Sequence, residues 1–504
     1  MCDEKRVPLM ERIWGGHCEI LGFGVSGKPL LPYLLAHGAA TVTVRDQRSL
    51  EKMQASGDAQ TIADAGATLV CGDDYLQGLG DSDSVSTVIF RSPGLHPDLP
   101  EIAAAVKKGA MLTSDTELFL TLTPARVWAI TGSDGKTTTT TIVSKLLELQ
   151  AKKTGKGKVY LGGNIGISLI PDLDGMTSDD IAVMELSSFQ LMTMGEDVNI
   201  HTAIITNITP NHLNWHTDYD EYITAKTRVL GSSVLERIVL NAGNEQTYGI
   251  GQSLPRGKVV WFSAEDEKSL PCVPRDALIT RRDGQIFMGD KMLLDTSKIL
   301  LPGDHNVENY MAAIGATHGF VDLSVVAEVA ETFPGVDHRL RFLREYNGAR
   351  FYNSSIDSTP SRTCAALRAM RELRDRQGKD ERGEYLYHDP IVICGGQDKH
   401  IPFDALAQGL CRHAKAVVLT GEAREQILDA LETCPLYDKD KLPVTVIPDY
   451  VSAMKWACEM AKPRDVVLLS PACTSFDAFT NFAERGQVFA GIVAELGTTH
   501  QDKG

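Results

Sequence analysis

The stretch Trp128-Ala-Ile-Thr-Gly-Ser-Asp-Gly-Lys-Thr-Thr-Thr-Thr-Thr141 decides the fold. The apolar run Val127 to Ile130 predicts a strand. A turn carrying Gly132 and Gly135 follows, and Lys136 and Thr137 open a helical stretch reaching about Gln150. Strand, glycine turn, Lys-Thr and helix form a phosphate cradle. Backbone N–H groups from Gly132 through Ser133, Asp134, Gly135 and Lys136 to Thr137 and Thr138 face an anion at a helix N-terminus. Lys136 neutralises phosphate charge, and the Thr137 hydroxyl suits Mg²⁺. The match to G-x-x-x-x-G-K-[ST] is incomplete, because Ile130 stands where the first glycine belongs. The alternative is a glycine-rich strand-to-helix turn without a ligand. The position of Lys-Thr favours the cradle, and with it a nucleoside triphosphate.

Composition sets bounds on the rest. A chain of 504 residues exceeds one ordinary core, so two to four domains are expected. A hydrophobic content of 43% with 44 glycines suits an α/β protein. The net charge of −16 argues against a nucleic-acid scaffold, which needs a basic surface. The ten cysteines form no C-x-x-C pair, and they read as reduced thiols of a cytoplasmic protein. No apolar run reaches a membrane span, and the stretch Met1 to Gly16 lacks the apolar core of a secretory signal.

Upstream, Cys18 to Leu21 reads as a strand. Gly22-Phe-Gly24-Val-Ser-Gly27 is a G-x-G-x-x-G, Leu30 to Ala36 is helical, and Ala40 to Val44 is a strand closed by Arg45-Asp46. An acid there is the usual ribose contact of a dinucleotide fold, so a dehydrogenase is an open reading. A further strand, Val85 to Phe90, ends in Arg91-Ser-Pro-Gly94. In the middle segment, Ile181 to Met184 delivers Glu185 at a carboxyl edge, Ala203 to Ile208 precedes His212, and the helical Tyr222 to Leu230 holds Lys226. Asn241 to Ser297 predicts short strands and loops, with a hairpin turn at Arg281-Arg-Asp-Gly284. Beyond Val336, strands at Pro390 to Cys394, Ala416 to Thr420, Pro443 to Ile447 and Asp465 to Leu469 alternate with helices such as Phe403 to His413 and Tyr450 to Ala461. That alternation predicts a parallel sheet. The charged run Arg371 to Glu384 reads as a solvated helix end or loop.

Several motifs converge: Glu185-Leu-Ser-Ser-Phe-Gln190, Asn207-Ile-Thr-Pro-Asn-His212, Gly303-Asp-His-Asn306-Val-Glu-Asn309, Asp337-His-Arg339, Gly395-Gly-Gln-Asp-Lys399 and the run from Ser470-Pro-Ala-Cys to Gly486. In this order they resemble the Mur ligase family, from about Leu21 to Leu496. The first and last are similar to the branch that adds D-glutamate to UDP-N-acetylmuramoyl-L-alanine.

The resemblance implies an α/β protein of three domains. These are an N-terminal Rossmann-like domain (1–115) for the UDP substrate, a central P-loop-type ATPase domain (116–335), and a C-terminal doubly wound α/β domain (336–504) for the amino acid. It implies an ATP-dependent amide-forming ligase of cytoplasmic peptidoglycan precursor synthesis, working through an acyl phosphate as a monomer without nucleic-acid or membrane partners. The glycine turn, with Val25, Ser26, Asp46 and Ser92, would then hold UDP rather than NAD. Lys136, His212 and Lys226 would be catalytic. Thr137, Glu185, His212 and Lys226 would hold two Mg²⁺ ions, with Lys226 carbamylated. Asn306 and Asn309 would contact adenine, and Arg339 the γ-phosphate. Asn164, Ser187 and Gln190 would meet the UDP substrate, although Ser187 and Gln190 could simply cap a helix. Ser358, Lys399, Ser475, Phe476 and Phe482 would form the D-glutamate pocket, and the two phenylalanines could equally be core. Many relatives read Asn-Asp-Ser-Lys-Ala-Thr where this chain reads Asn353-Ser-Ser-Ile-Asp-Ser358, so an acid and a lysine give way to Ser354 and Ile356 and an acid stands instead at Asp357.

Overall fold

In the computed structural model the chain is described over residues 9–81, 86–265, 270, 273–399 and 401–497. Met1 to Pro8, Val85, Cys2 and Cys272, which enter the readings above, lie outside the described residues. Among the described residues, twenty strands fall into three sheets, parallel for the most part.

The first sheet holds β1 (His17–Leu21), β2 (Thr41–Asp46), β3 (Thr68–Cys71), β4 (Thr87–Arg91) and β5 (Met111–Thr113) in the order β3-β2-β1-β4-β5, every pair parallel. The order reverses between β1 and β4. In open parallel sheets the crevice at such a reversal, beyond the carboxyl ends, takes ligands. The G-x-G-x-x-G connects β1 to the helix Gly27–Ala36 there. A Cβ on Gly27 would stand 2.2 Å from the Gly22 carbonyl oxygen, so the helix seats against the turn only because this residue has no side chain.

The second sheet contains β6 (Arg126–Thr131), β7 (Val159–Gly163), β8 (Ile181–Glu185), β9 (Thr202–Ile205), β10 (Arg237–Asn241), β11 (Val259–Ser263) and β12 (Leu278–Arg282) in the order β12-β11-β10-β9-β6-β8-β7. The expected strand to Ile208 stops at Ile205; beyond it the Thr206 N–H still donates to the Thr131 carbonyl, and the Thr206 hydroxyl donates to the Asp134 carbonyl at 2.6 Å. The helix Lys136–Thr154 follows β6, one turn longer than the periodicity suggested.

These two sheets share one apolar core. Val42, Val88 and Phe90 of the first and Val127, Ala129 and Met184 of the second join the same buried cluster, through Leu118, Phe119 and Leu120 of the helix Asp115–Leu122. The chain accordingly packs as two compact units, residues 1–280 with 309–325, and residues 281–308 with 326–504.

The second unit contains the antiparallel hairpin β13 (Gln285–Met288) and β14 (Lys291–Asp295). Ahead of β13, Asp283 and Gly284 both have positive φ, as a two-residue type I′ turn requires. Its sheet runs β15-β16-β20-β17-β18-β19, from β15 (Arg341–Tyr346), β16 (Ala349–Asn353), β17 (Pro390–Gly395), β18 (Ala416–Thr420), β19 (Val444–Val446) and β20 (Val466–Leu469). Only β15 and β16 pair antiparallel in it. Val392 and Cys394 pack against Leu367, Leu406 and Ile427, while Ile391 and Ile393 pack against Met454, Phe489 and Val493. Alternate residues of one strand thus bury against helices on opposite faces, which is a doubly wound sheet.

The run Arg371 to Glu384 is only partly solvated. Arg376, on the helix Pro360–Gln377, is nearly buried and donates to the carbonyls of Ile299, Leu301 and Gly303. Its guanidinium thus fastens the segment ahead of the helix Asp304–Thr317. The eight described cysteines are free thiols, and among the described residues no helix is long and apolar enough to cross a membrane.

Gly27→Ala is expected to destabilise the protein by about 1–3 kcal/mol, because the methyl group meets backbone rather than a movable side chain. Thermal melting checks this, and an unchanged midpoint would contradict the packing.

Candidate active site

The glycine turn after β6 is held from two sides. The Asp134 N–H donates to Asn207 Oδ1 at 2.9 Å, and the Ser133 hydroxyl bonds to Tyr222 at 2.8 Å and donates to the Thr209 carbonyl at 3.0 Å. The Asn207-to-His212 motif therefore clamps the cradle. Gly132 adopts φ 145°, and a Cβ there would fall 1.9 Å from Thr206 Oγ1. Gly135 adopts φ 77°, where a Cβ would fall 2.4 Å from Asn309 Oδ1. Asn309 also accepts from the Thr139 hydroxyl at 3.2 Å, so it packs on the cradle helix.

Two lysines meet at this turn. Lys136 Nζ donates to the Ser133 carbonyl at 3.0 Å. Lys226, on the helix Tyr219–Thr227, is 1% exposed; its Nζ donates to the Gly132 carbonyl at 2.7 Å and lies 4.7 Å from the Tyr222 ring centre. Burial, reinforced by the charge of Lys136, lowers its pKa to about 7, against the pull of Asp134 and Glu185. A surface helix lysine is thereby excluded. His212 has φ 56° and an imidazole pKa lowered by burial, then by Lys136 and Lys226, so its ring is neutral near pH 7.

Glu185 closes the group from the end of β8. Its Oε1 accepts from Asn164 Nδ2 at 2.8 Å, while its buried Oε2 has no hydrogen-bond partner among the described residues. A buried carboxylate oxygen left this way is costly unless a cation meets it. With the Thr137 hydroxyl at the head of the cradle helix and a neutral imidazole at His212, these residues fit a divalent metal bound to phosphate. Asn164 buttresses Glu185, a role that its own sequence context does not signal.

Ser187 and Gln190 do form a capping box. Ser187 Oγ accepts from the Gln190 N–H and Gln190 Oε1 accepts from the Ser187 N–H. Gln190 Nε2 then donates to Thr116 Oγ1 at 3.1 Å. Asp115, next to Thr116, is hydrogen-bonded to the Ser26 hydroxyl, and burial raises its pKa. A polar chain thus joins the first glycine turn to the loop after β8, and Val25, Ser26, Asp115 and Gln190 line one cleft. Asp115 escaped the sequence reading, because an acid in a first helical turn reads as a cap residue. Ser92 adjoins the same glycine turn: its N–H donates to the Leu21 carbonyl, and a Cβ on Gly22 would stand 3.1 Å from its Cβ. Asp46 accepts from the Phe23 N–H at 2.8 Å and from Arg48. Burial opposes its ionisation, but the bonds from Arg48 outweigh that and hold the carboxyl below its ordinary range. Arg48, which also pairs with Asp58, went unread; its signal was a cation two residues past the strand-end acid.

In the second unit, Asn306 donates to the Pro302 carbonyl, and Arg339 lies exposed between His338 and Leu340, both at positive φ. The altered loop supports that turn: Ser354 Oγ accepts from the Leu340 N–H, and the Ile356 N–H donates to the His338 carbonyl. Asp357 is buried and accepts from Ser470 Oγ at 2.8 Å, and burial raises its pKa. The relocated acid is therefore internal. Lys399 Nζ lies 3.4 Å from Ser358 Oγ. Ser475 is buried, while Phe476 and Phe482 are exposed rather than core.

A phosphate cradle carrying two lysines, an unsatisfied carboxylate oxygen and a neutral histidine defines an α/β protein that works on nucleotide phosphates. Comparison with known families is specific. Residues 130–317 match the Mur ligase middle domain, and residues 338–473 match the Mur ligase glutamate ligase domain. The UDP-N-acetylmuramoylalanine–D-glutamate ligase of Ruminiclostridium cellulolyticum is 38% identical over 482 residues, 95% of this chain and 96% of that protein. The ligase of the same name from Clostridium beijerinckii is 39% identical over 493 residues, 96% and 98% of the two chains. Among solved structures, MurF from Acinetobacter baumannii superposes with a TM-score of 0.54 at 15% identity over 96% of this chain and 98% of its own, a likeness of fold. This chain belongs to the Mur ligase family.

Gly135→Ala is expected to weaken nucleotide binding at least about tenfold, because it combines a left-handed backbone with a clash against Asn309. Titration with a fluorescent ATP analogue measures it, and wild-type affinity in a folded variant would contradict the cradle geometry.

Proposed function

We propose that this chain joins D-glutamate to the alanyl carboxylate of UDP-N-acetylmuramoyl-L-alanine, driven by ATP, in peptidoglycan precursor synthesis. The observation that carries the reading is the meeting of Lys136, Lys226 and the unpartnered Glu185 oxygen at one glycine turn. It occurs in a chain about 38% identical, over nearly its full length, to ligases of that name.

A carboxylate is a poor electrophile. In the first step an alanyl carboxylate oxygen attacks the γ-phosphorus and ADP leaves, giving an acyl phosphate. In the second, the amine of D-glutamate attacks the acyl carbon, phosphate departs with that oxygen, and the amine gives up a proton. The first step sets two anions against each other, so cations must cancel the repulsion and hold the groups in line. Lys136 suits the β- and γ-phosphates. Thr137, Glu185, His212 and Lys226 would hold Mg²⁺, two ions in our reading, which supplies charge neutralisation at the phosphates. A lysine with a pKa near 7 is in large part an uncharged amine at neutral pH, about half of it, and that form is able to add CO₂ and become a carbamate. That anion suits a cation-holding role better than an ammonium does.

Domains at 1–115, 116–335 and 336–504 would bind UDP, ATP and the amino acid respectively. Val25, Ser26, Asp46, Ser92, Asn164, Ser187 and Gln190 belong to the acceptor in this reading, and Asn306, Asn309 and Arg339 to ATP. The pair Lys399 and Ser358 favours a small dicarboxylate, whose side-chain carboxylate an ammonium would meet. Phe476 and Phe482, exposed as they are, suit a pocket wall. The reading places the protein in the cytoplasm, acting as a single copy.

Three outcomes are expected. Lys136→Ala loses roughly a thousandfold or more in turnover, because transition-state charge goes unmet; full turnover would sink the assignment. Lys226→Ala is inactive, and a short carboxylic acid partly restores it by occupying the place of the carbamate; absence of rescue would contradict carbamylation. Acceptor labelled with ¹⁸O in its alanyl carboxylate passes one label to the released phosphate, read by mass spectrometry, and unlabelled phosphate would rule out the acyl-phosphate route.

A further inference from the structure

Arg91 ends β4 and is 1% exposed; no carboxylate among the described residues is in ion-pair contact with it, and Glu117 acts on its charge from farther off. Its Nη1 donates to the carbonyls of Pro93, at 3.2 Å, and Leu95. Its Nη2 donates to the Phe189 carbonyl at 2.7 Å and lies 3.5 Å from Thr193 Oγ1. The first pair belongs to the turn after β4 that contains Ser92. The second belongs to the short helix Ser188–Leu191 that contains Gln190, and to its continuation. A second tie lies beside it. Trp215 Nε1 donates to the Gly94 carbonyl at 3.3 Å, and its ring packs on Phe189 at 4.4 Å and His96 at 4.7 Å between centroids.

Resting on the function proposed above, we propose that Arg91 is a positioning residue for the UDP-linked acceptor. Its planar fork fixes the Ser92–Leu95 turn of the first sheet against the Ser187–Gln190 loop of the second. An acceptor whose nucleotide end sits on the first sheet and whose acyl end sits on the second needs those two edges at one spacing. A guanidinium reaches both from one rigid plane, whereas a lysine offers a single point donor. Burial of this cation against carbonyl dipoles makes sense for a residue that sets geometry, since an apolar side chain would leave the turn carbonyls free to drift. Arg91 acts through the turn and touches no reacting atom in this assignment.

The test is steady-state kinetics on the full chain with ATP, D-glutamate and UDP-N-acetylmuramoyl-L-alanine each varied. Arg91→Ala is expected to raise KM for the acceptor about tenfold or more, with KM for ATP and D-glutamate within twofold. Arg91→Lys should recover part of the loss. Trp215→Phe keeps an aromatic ring but removes the N–H to Gly94 and part of the packing on Phe189 and His96, so it should raise the acceptor KM several-fold with KM for ATP and D-glutamate within twofold; this variant carries the test if Arg91→Ala fails to fold. Turnover by the wild type with an unchanged acceptor KM in both Trp215→Phe and Arg91→Lys overturns the role of Arg91 alone. A uniform rise in all three KM values does the same. No turnover by the wild type overturns the functional reading, and this one with it.

Discussion

Two cationic side chains converge on one glycine turn, and one of them is almost wholly buried. Removing an ammonium from water is costly, and a like charge close by adds to the cost. Lys226 meets both penalties, from burial and from Lys136, and its depressed pKa is the direct expression of that. The surrounding residues answer it in part. The Gly132 carbonyl and the Tyr222 ring take the Nζ group, and Asp134 and Glu185 pull the other way. The Glu185 oxygen without a partner is the complementary imbalance. A site holding a lysine pushed toward its neutral form beside an unmet carboxylate oxygen is balanced when phosphate and metal enter together. Such preorganised electrostatics favour phosphoryl transfer between anions.

The rest of the architecture keeps that arrangement in register. The first two sheets share an apolar core, so the clefts at their carboxyl edges are set by packing rather than by a loose linker. Polar chains reinforce the same spacing: Ser26 to Asp115, Thr116 to Gln190, and Arg91 to Phe189. In the second unit, Arg376 holds the segment preceding Asn306, and the loop Ser354 to Asp357 holds the turn bearing Arg339. Several candidate contact residues, Ser26, Gln190, Asn306 and Arg339 among them, are thus braced by an interior polar group. This is what a site of fixed geometry needs from its surroundings.

Much of this was legible in the sequence, and the exceptions have physical causes. Buried strands such as Arg126–Thr131 and Ala416–Thr420 announce themselves as apolar runs, and the cradle through its glycines and Lys-Thr. Ala203 to Ile208 reads three residues too long because Ile208 follows the apolar run closely, while the Thr206 and Asn207 side chains are turned to the Asp134 carbonyl. The burial of Lys226 is hidden by acidic neighbours, Asp220 and Glu221, that give its helix a surface appearance. Arg376 reads as part of a solvated run and Arg91 only as the start of a turn, since a carbonyl acceptor far along the chain leaves no mark in local composition. The part played by Asp115, and the tie of Asn164 to Glu185, show only once the fold brings Ser26 and Glu185 beside them. The shared core of the first two sheets was likewise beyond reach, because periodicity says which face is buried and not against what.

The most direct test of the account is ATP-dependent phosphate release with UDP-N-acetylmuramoyl-L-alanine and Mg²⁺, adding D-glutamate, L-glutamate, L-lysine or diaminopimelate in turn. The account predicts release with D-glutamate only, with a product heavier by one glutamyl residue. Release with a different amino acid, or with none of them while ATP still binds, would contradict it.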